Sequence, residues 1–496
     1  MKLLKTCFVF YALVVTTLRA QNTDLAKITL RWQLGYHKTL NEKPAKWLNS
    51  TVPGAVQLDV MRGENYKQPY WYGENWQQFI WMEPYFFTYK TSFKKPDLKS
   101  GQKLFFVSKG IDYEFKISLN GKLLWEQEGM FAPVNLDLTN SLLDQNELTI
   151  TLMPVPTVAG ARQTQSHYRD NAGKSAKPAV SYGWDWHPRL ITRGIWDDTY
   201  LEIRENSYLE NVYVDYDLNE ALTTAKVNIN ADGQNLQGTN YKWTLKDASG
   251  KTVLSKEGSF LANTLRTGDS LKNIALWWPN GYGKSTLYAS TFEFFDKDKK
   301  LIEKREAKVG FRRIKLIMSE GGWIEPQIFP KTRSVAPANL EVNGKRIFAK
   351  GSNWVHPEIF PGIMNRETYE KQINMAVEAN FNIFRVWGGG ITNKESFFDL
   401  CDEKGILVWQ EFPLACNLYP DEPKYLAVLE QEARSIVKRV KPHASIAIWC
   451  GGNELFNEWS GMTEQSLPLR LLNRVCYEMD PQTPFIYTSP LFGMAH

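Results

Sequence analysis

Cysteine is scarce in this sequence, which limits both disulfide and metal chemistry. Only 5 of the 496 residues are cysteine, and one of them, Cys7, lies in the N-terminal segment. The spacing of the other four matches neither a zinc site nor a disulfide framework. We therefore predict buried free thiols at Cys401, Cys416, Cys450 and Cys476. The 6 histidines are too dispersed along the chain to indicate a metal site.

Long runs of one charge and long apolar runs are missing as well. The formal net charge is only +5, and the Lys and Arg residues are interspersed among Asp and Glu. The densest basic stretch, Lys297–Lys300, is typical of a solvated hairpin turn, so nothing indicates a nucleic-acid partner. Beyond residue 20 no apolar run is long enough to cross a bilayer, so we expect no membrane association for the mature chain.

The first 20 residues have the pattern of a secretory signal peptide. A short basic region, Met1–Lys5, precedes a mostly apolar run, Thr6–Leu18. Arg19–Gln21 offers a cleavage position, although Leu18 is large for the third residue before the cut. We predict a signal peptide over 1–20 and a secreted or periplasmic protein.

Aromatic residues, in contrast, are abundant. The chain has 18 Trp, 22 Tyr and 26 Phe, which together make up 13% of its residues. Most of them are expected in hydrophobic cores, because aromatic side chains bury large apolar areas. Indole faces also stack against the C–H faces of pyranose rings, so we expect a minority of these residues to contact a carbohydrate.

Three patterns divide the remaining chain. Residues 21–204 contain short alternating apolar runs with a turn signal at Asn120–Gly121, which predicts a β-sandwich of the jelly-roll type. Strand-like runs over 205–318 have the spacing of an immunoglobulin-like sandwich. From about residue 345 strands alternate with helical stretches, starting with a strand over Arg346–His356 and ending with one over Phe485–Thr488. This alternation predicts parallel strands, so we assign 319–496 to a TIM-barrel domain.

The predicted barrel is incomplete. A TIM barrel has eight βα units and typically about 250 residues. This stretch supplies four units and a fifth strand. We interpret it as the N-terminal part of a barrel and expect the chain to be a fragment of a longer protein.

The carboxyl ends of the barrel strands are where chemistry is expected. Strand two ends in Arg385–Gly390, which includes Trp387, and strand three ends at Glu411. Strand four is followed by Asn453 and Glu454. One rim would therefore carry a flat indole to stack on, an amide to hold a hydroxyl and a carboxyl to move a proton. These are the requirements of a sugar-cleaving site.

These residues also carry a family resemblance. The pair Asn453–Glu454 after an apolar fourth strand resembles the general acid/base motif of glycoside hydrolase family 2, whose members combine a jelly roll, an immunoglobulin-like domain and a TIM barrel. Gly310–Arg312 and Trp277–Gly281 resemble the family signatures ahead of the barrel and in the middle domain. Tyr182–Trp186 and Gly194–Trp196 are similar to the jelly-roll insertion of the β-mannosidase branch.

The resemblance implies an exo-acting, retaining β-mannosidase that hydrolyses terminal non-reducing β-D-mannose residues of an oligosaccharide or glycan and needs no cofactor. Glu454 would act as general acid and then as general base, and Asn453 would hold the sugar 2-hydroxyl. Asp185 would bind hydroxyls at the far end of the terminal sugar. The tryptophans implied to line the pocket are Trp184, Trp387 and Trp459.

A retaining enzyme also needs a nucleophilic carboxylate about 5 Å from the acid. In this family it follows the seventh strand, so the resemblance implies that the nucleophile is not present in this chain and that the chain is inactive by itself. Glu411 could be taken for that nucleophile, but we expect a supporting role. Glu458, one helical turn after Glu454, is expected at the surface.

Each assignment has a plainer alternative. Glu454 could be an acid favoured by a helix dipole, Asp185 could tie down a loop, and Trp387 and Trp459 could pack the barrel rim.

The chain also departs from the branch pattern. His187 stands where the branch usually has Gly, the stretch Val355–Glu358 differs from the usual exit of strand one, and Gly452 replaces a common Asn. Substrate preference therefore stays open. A β-galactosidase, a β-glucuronidase, an exo-β-glucosaminidase and a non-catalytic carbohydrate-binding protein are the alternatives. Of these, only a non-catalytic carbohydrate-binding protein would, as a complete protein, bind sugar without hydrolysing it. The sequence does not specify an oligomeric state.

Overall fold

The structure is a computed structural model that describes residues 26–156, 169–321 and 338–490. The predicted signal peptide over 1–20 and Cys7 lie outside the described residues.

The first domain is an antiparallel β-sandwich. Its six-stranded sheet has the order β3-β2-β4-β10-β7-β8 and its four-stranded sheet the order β1-β12-β5-β9, while β6 pairs with β11. Asn120 and Gly121 have positive φ angles of 53° and 79° and join β7 to β8, so the predicted hairpin turn is confirmed. The strands and helices are β1 Lys27–Ile28, β2 Trp32–His37, β3 Leu48–Ser50, α1 Val56–Glu64, β4 Phe86–Lys94, β5 Lys103–Ser108, β6 Ile111–Asp112, β7 Glu114–Leu119, β8 Lys122–Glu128, β9 Val134–Asp137, β10 Gln145–Leu152, α2 Arg169–Ala172, β11 Gly194–Ile195 and β12 Thr199–Arg204.

The second domain is a smaller sandwich. A three-stranded sheet, β13-β14-β17, faces a four-stranded sheet, β16-β15-β18-β19. Alternate residues of β18 are buried, as expected for a strand with one face on a core. Its strands are β13 Tyr208–Leu218, β14 Thr224–Gln234, β15 Asn240–Lys246, β16 Thr252–Ser259, β17 Thr264–Lys272, β18 Tyr288–Phe295 and β19 Leu301–Val309.

A small antiparallel sheet follows, and then a parallel one. The small sheet has the order β20-β21-β22, and the parallel sheet has the order β23-β24-β25-β26-β27. The elements are β20 Ile314–Met318, β21 Ala338–Val342, β22 Lys345–Ile347, β23 Gly351–Trp354, α3 Arg366–Glu378, β24 Ile383–Val386, α4 Glu395–Lys404, β25 Leu407–Glu411, α5 Pro423–Val440, β26 Ile446–Cys450, α6 Leu467–Met479 and β27 Phe485–Ile486. The predicted fold class, two sandwiches followed by part of a TIM barrel, is confirmed.

The apolar spacing of the helices explains why they cover the parallel sheet. In α5 the buried residues Tyr425, Leu429, Ala433, Ile436 and Val440 recur every three or four positions and form one face. The β26 strand is buried along its whole length, as expected for a strand covered on both faces. Within the described ranges, no helix is long and apolar enough to cross a membrane.

One predicted strand was wrong. The expected single strand over Arg346–His356 is two strands, because Lys345–Ile347 closes an antiparallel hairpin with β21 whereas Gly351–Trp354 pairs in parallel with β24. The hairpin partner of β22 is fixed by a two-residue turn at Asn343–Gly344, where both φ angles are positive. The chain therefore changes sheets near residue 348.

The domains are joined by side chains of the family signatures. Arg312 donates to the carbonyl oxygens of Ala444 (3.1 Å) and Ile446 (2.9 Å) at the start of β26. The buried Trp277 indole donates to the carbonyl oxygen of Asp402 at 2.8 Å. These signatures therefore fix how the second sandwich sits against the barrel helices and strands.

A buried carboxylate joins the first sandwich to the barrel. Glu432 on α5 accepts hydrogen bonds from three successive backbone N–H groups of the first domain, those of Met130 (2.6 Å), Phe131 (2.8 Å) and Ala132 (3.0 Å). Burial raises the pKa of Glu432 to about 7, although these three N–H groups act in the opposite direction. The folded pKa is thus above the unfolded value of 4.5, so protonation stabilises the folded state. This contribution is complete below about pH 4.5 and is lost as the pH rises through about 7.

We expect Glu432→Gln to remove this pH dependence. Its amide NH2 must face one of the backbone N–H donors, so we also expect the midpoint of urea unfolding to fall at pH 5 by an amount equivalent to about 1–3 kcal/mol. The measurement is urea unfolding at pH 5 and pH 8. Glu430→Gln on the same helix, at an exposed ion pair, is the matched control and should change stability by less than about 1 kcal/mol. An unaltered pH dependence in Glu432→Gln would contradict the assignment.

Candidate active site

Three neighbouring strands bring their polar ends together around one guanidinium. Arg385 on β24 donates from Nε to Oε1 of Glu411 (2.8 Å) and from Nη2 to its Oε2 (3.1 Å). The same Nη2 donates to Oδ1 of Asn453 at 2.6 Å, and Nη1 donates to Oδ1 of Asn353 at 3.0 Å. Because the strands are parallel and adjacent, the ends of all three, and of β23 beside them, lie on one rim.

These contacts use both carboxylate oxygens of Glu411. Its side chain is completely buried, and Oε2 accepts a further bond from the Gly388 N–H at 2.7 Å. Burial raises the pKa of Glu411, and the Arg385 charge opposes that shift. A carboxylate paired with a guanidinium and capped by a backbone N–H is suited to positioning its neighbours, which favours the predicted supporting role over that of a nucleophile.

Glu454 lies beside Asn453 with an unusual backbone conformation. Its φ is 50°, in the left-handed region that a residue with a Cβ rarely adopts. Its N–H donates to the carbonyl oxygen of Ser489 (2.9 Å), and its carbonyl oxygen accepts from Oγ of Ser460 (2.7 Å). Backbone strain of this kind concentrates at functional sites, because the surrounding structure must hold it in place. The side chain is half-buried.

Cys416 is a site residue that sequence reasoning missed. Its thiol donates to Oε2 of Glu454 at 3.4 Å, and its sulfur accepts from Nδ2 of Asn453 at 3.4 Å. Like Glu454 it has a φ of 50°. The sequence feature that could have identified Cys416 was its position just after the end of strand three.

The predicted burial of Cys401, Cys416, Cys450 and Cys476 as free thiols is confirmed.

Three tryptophan rings, those of Trp184, Trp186 and Trp387, form what we call the aromatic wall. The Trp184 and Trp387 rings are 4.8 Å apart in an edge-to-face arrangement, and Trp186 is 5.7 Å from Trp387. Trp184 and Trp387 are buried in one apolar cluster that also contains Cys416. The two tryptophans therefore belong to the same apolar cluster as the residue that contacts the Glu454 carboxylate.

Two of these three tryptophans come from the first domain, on the segment 169–197. Its Val180 N–H donates to the carbonyl oxygen of Gly389 (2.9 Å), just beyond β24. At its base the buried Lys177 ammonium lies 2.6 Å from the Asp112 carboxylate and donates to the carbonyl oxygen of Thr192 at 2.8 Å. Replacing one partner of such a buried pair would leave an uncompensated charge, so the segment is held firmly at its base.

The other predicted site residues are more exposed to solvent. Asp185 is exposed between the two tryptophans of the segment, and Trp459 is 46% exposed on the loop after Glu454. Glu458 is exposed, as predicted. The structure thus places Asn453 and Glu454 against Cys416, which shares an apolar cluster with Trp184 and Trp387. No group of three or more His, Cys, Asp or Glu side chains in the described ranges could hold a metal ion.

Domain profiles of one enzyme class match the chain in order. Residues 32–197 match the glycosyl hydrolase 2 galactose-binding domain-like family, 207–312 match glycosyl hydrolases family 2, and 334–490 match the TIM-barrel domain of that family. With the rim carboxylate and the indole wall, this defines the class as a glycoside hydrolase. The chain belongs to glycoside hydrolase family 2.

Several named β-mannosidases are similar to this chain. It is 30% identical over 440 residues to β-mannosidase B of Emericella nidulans, covering 85% of this chain and 50% of that protein. It is 28% identical to β-mannosidase of Rattus norvegicus, covering 93% of this chain and 55% of the relative. The chain spans about half the length of the curated relatives it matches.

Solved structures extend the similarity. The β-D-mannosidase of Dictyoglomus thermophilum superposes with a TM-score of 0.81 at 28% identity, covering 95% of this chain and 58% of that one. A β-glucuronidase of Parabacteroides merdae has a TM-score of 0.69 at 16% identity over 93% of this chain and 56% of its own, which shows a shared fold only.

We expect Arg385→Met to destabilise the protein by about 3–5 kcal/mol, because it leaves the Glu411 carboxylate buried without its cation. Adding Glu411→Gln should recover part of the loss. Urea unfolding measures both. Arg266→Met is the matched control, since Arg266 forms an exposed ion pair with Asp215 and its loss should cost less than about 1 kcal/mol. Equal losses in Arg385→Met and Arg266→Met would contradict the central role of Arg385.

Proposed function

We propose that this chain carries the acid/base side of the active site of an exo-acting, retaining β-mannosidase that releases terminal non-reducing β-D-mannose residues. The observation that carries the proposal is the pair Asn453–Glu454, in which Arg385 orients the amide and Cys416, from the apolar cluster of Trp184 and Trp387, contacts the carboxylate. The β-mannosidase names of its relatives support the choice of sugar.

In this proposal Glu454 first protonates the glycosidic oxygen as the leaving group departs, and later removes a proton from water. Asn453 Oδ1 is engaged by Arg385, which leaves its Nδ2 donor turned towards Cys416 and the pocket. A fixed amide next to the acid suits binding of the sugar 2-hydroxyl, a contact that strengthens in the transition state. Asp185 would bind hydroxyls at the closed end of the pocket, and Trp459 would complete its wall.

The nucleophile is proposed to follow the seventh strand of the barrel, as the family resemblance implies. The described residues contain five parallel strands, and the carboxylate of Glu411 among them is committed to Arg385 and Gly388. We also propose a secreted or periplasmic location, on the basis of the signal-peptide pattern over 1–20.

The role of Glu454 can be tested without turnover. A β-mannosylamine bearing a bromoacetyl group should alkylate a carboxylate that faces the glycosidic position, releasing bromide and forming an ester. Peptide mass spectrometry should find the label on Glu454, and methyl β-D-mannoside should protect against it. Glu454→Gln should abolish the label, whereas Glu458→Gln, at an exposed site on the same loop, should retain it. Because the Cys416 thiol lies 3.4 Å from Oε2 of Glu454 and would compete for the bromoacetyl group, all samples also carry Cys416→Ser. Labelling elsewhere with Glu454 unmodified would then count against the assignment.

The choice of sugar is tested by calorimetry with methyl β-glycosides of mannose, galactose, glucose, glucuronic acid and glucosamine. We expect the mannoside to bind at least about tenfold more tightly than the others, a difference of about 1.4 kcal/mol. Tighter binding of another glycoside would reassign the substrate. Turnover of any aryl glycoside by this chain would overturn the proposal that the nucleophile lies beyond the described strands, and loss of that turnover in Glu454→Gln would still identify Glu454 as the general acid. A general acid is worth about 10²–10⁴-fold in rate.

A further inference from the structure

Two buried histidines from different domains lie against each other. His187 belongs to the first-domain segment 169–197, and His356 follows β23 of the barrel. Although they are distant in sequence, their ring centroids are 5.9 Å apart and tilted by 58°. The contact therefore joins the first-domain segment to the residues that follow strand one.

The contact between the two rings is aromatic rather than ionic. Both histidines are buried. Burial lowers the pKa of His187 to about 4 and that of His356 to about 3, so both rings are neutral at ordinary pH. Neutral aromatic rings in edge or tilted contact attract through dispersion and their quadrupoles.

Both rings also contact the indole of Trp186. The centroid of Trp186 is 5.7 Å from His187 and 6.5 Å from His356, in edge-to-face arrangements. Trp186 also lies 5.7 Å from Trp387, the tryptophan at the end of strand two. Trp186 itself is 48% exposed, so a large part of its indole remains open to solvent next to the candidate site.

The backbone around His187 is closed by its own hydrogen bonds. The Trp184 N–H donates to the His187 carbonyl oxygen (2.9 Å) and the His187 N–H donates to that of Trp184 (3.2 Å), which makes Asp185 and Trp186 the tip of a tight turn. Nδ1 of His187 lies 2.7 Å from the carbonyl oxygen of Pro188. The imidazole of His187 is therefore fixed to its turn, and His356 is buried beside it on the segment that follows β23.

We propose that His187 and His356 are positioning residues that act as one unit and hold the Trp186 indole against Trp387 at the edge of the sugar site. The two histidines thereby connect Trp186, at the tip of the first-domain turn, to the residues that follow strand one. Without the two histidines, the half-exposed indole would keep only one of its three described ring contacts, the one with Trp387. The consequence for sugar binding rests on the proposed function, whereas the positioning of Trp186 does not.

Fluorine NMR of the full chain labelled with fluorotryptophan tests the positioning directly. The Trp186 resonance is assigned by its loss in Trp186→Phe. His187→Ala and His356→Ala should each move this resonance towards that of free fluorotryptophan, and the double variant should move it no further than either single variant, since the rings act together. His356→Phe keeps an aromatic ring and should restore the original position.

His37→Ala is the matched control, because His37 is a buried histidine stacked on Phe86 at 5.6 Å in the first domain. It should leave the Trp186 resonance unmoved. His356→Gln keeps the side-chain length without the ring, and it replaces His356→Ala if that variant does not fold. A resonance that stays in place in the folded histidine variants, or one that moves equally in His37→Ala, overturns the proposal.

Sugar binding provides the second readout. The affinity for methyl β-D-mannoside should fall about tenfold in His356→Ala and recover in His356→Phe. Wild-type protein that binds no glycoside would refute the proposed function, and the fluorine resonance would still decide whether the histidines position Trp186. A moved resonance with unchanged affinity would overturn the link to the sugar site.

Discussion

The site depends on the ion pair between Arg385 and Glu411. Without its cation, the buried carboxylate of Glu411 would be an uncompensated charge. The planar guanidinium of Arg385 supplies two donors to Glu411 and still reaches Asn453 and Asn353. Satisfying the buried charge therefore fixes the plane of the guanidinium. That plane sets the orientation of Asn453, which precedes Glu454 in the chain.

The site is also a joint between domains. The barrel strands supply Asn453 and Glu454, while the first sandwich supplies Trp184 and Trp186 on a segment anchored by the buried Lys177–Asp112 pair. Glu432, on the barrel helix α5, binds three backbone N–H groups of the first sandwich and so helps to fix its orientation. Contacts far from Glu454 thus help to hold Trp184 and Trp186 beside Trp387, because these rings meet only when the two domains are docked.

Two residues at the barrel rim have a strained backbone conformation. Cys416 and Glu454 both have left-handed backbones and contact each other through the thiol and a carboxylate oxygen. Such conformations persist only when the neighbouring structure over-determines them. Here the backbone of Cys416 is held by the carbonyl oxygen of Asn453 at 3.0 Å, and that of Glu454 by Ser489 at 2.9 Å.

The sequence by itself determined the order of the domains, the βα alternation and the residues Asn453 and Glu454, because these depend on local periodicity and on short motifs. It could not separate β22 from β23, since an apolar run does not reveal which sheet each half joins. Only the tertiary structure decided that Arg385 binds Glu411, that Cys416 faces Glu454 and that His187 meets His356. These contacts join residues distant in the chain, so they form only when separate strands and domains pack together, and no local pattern records that packing.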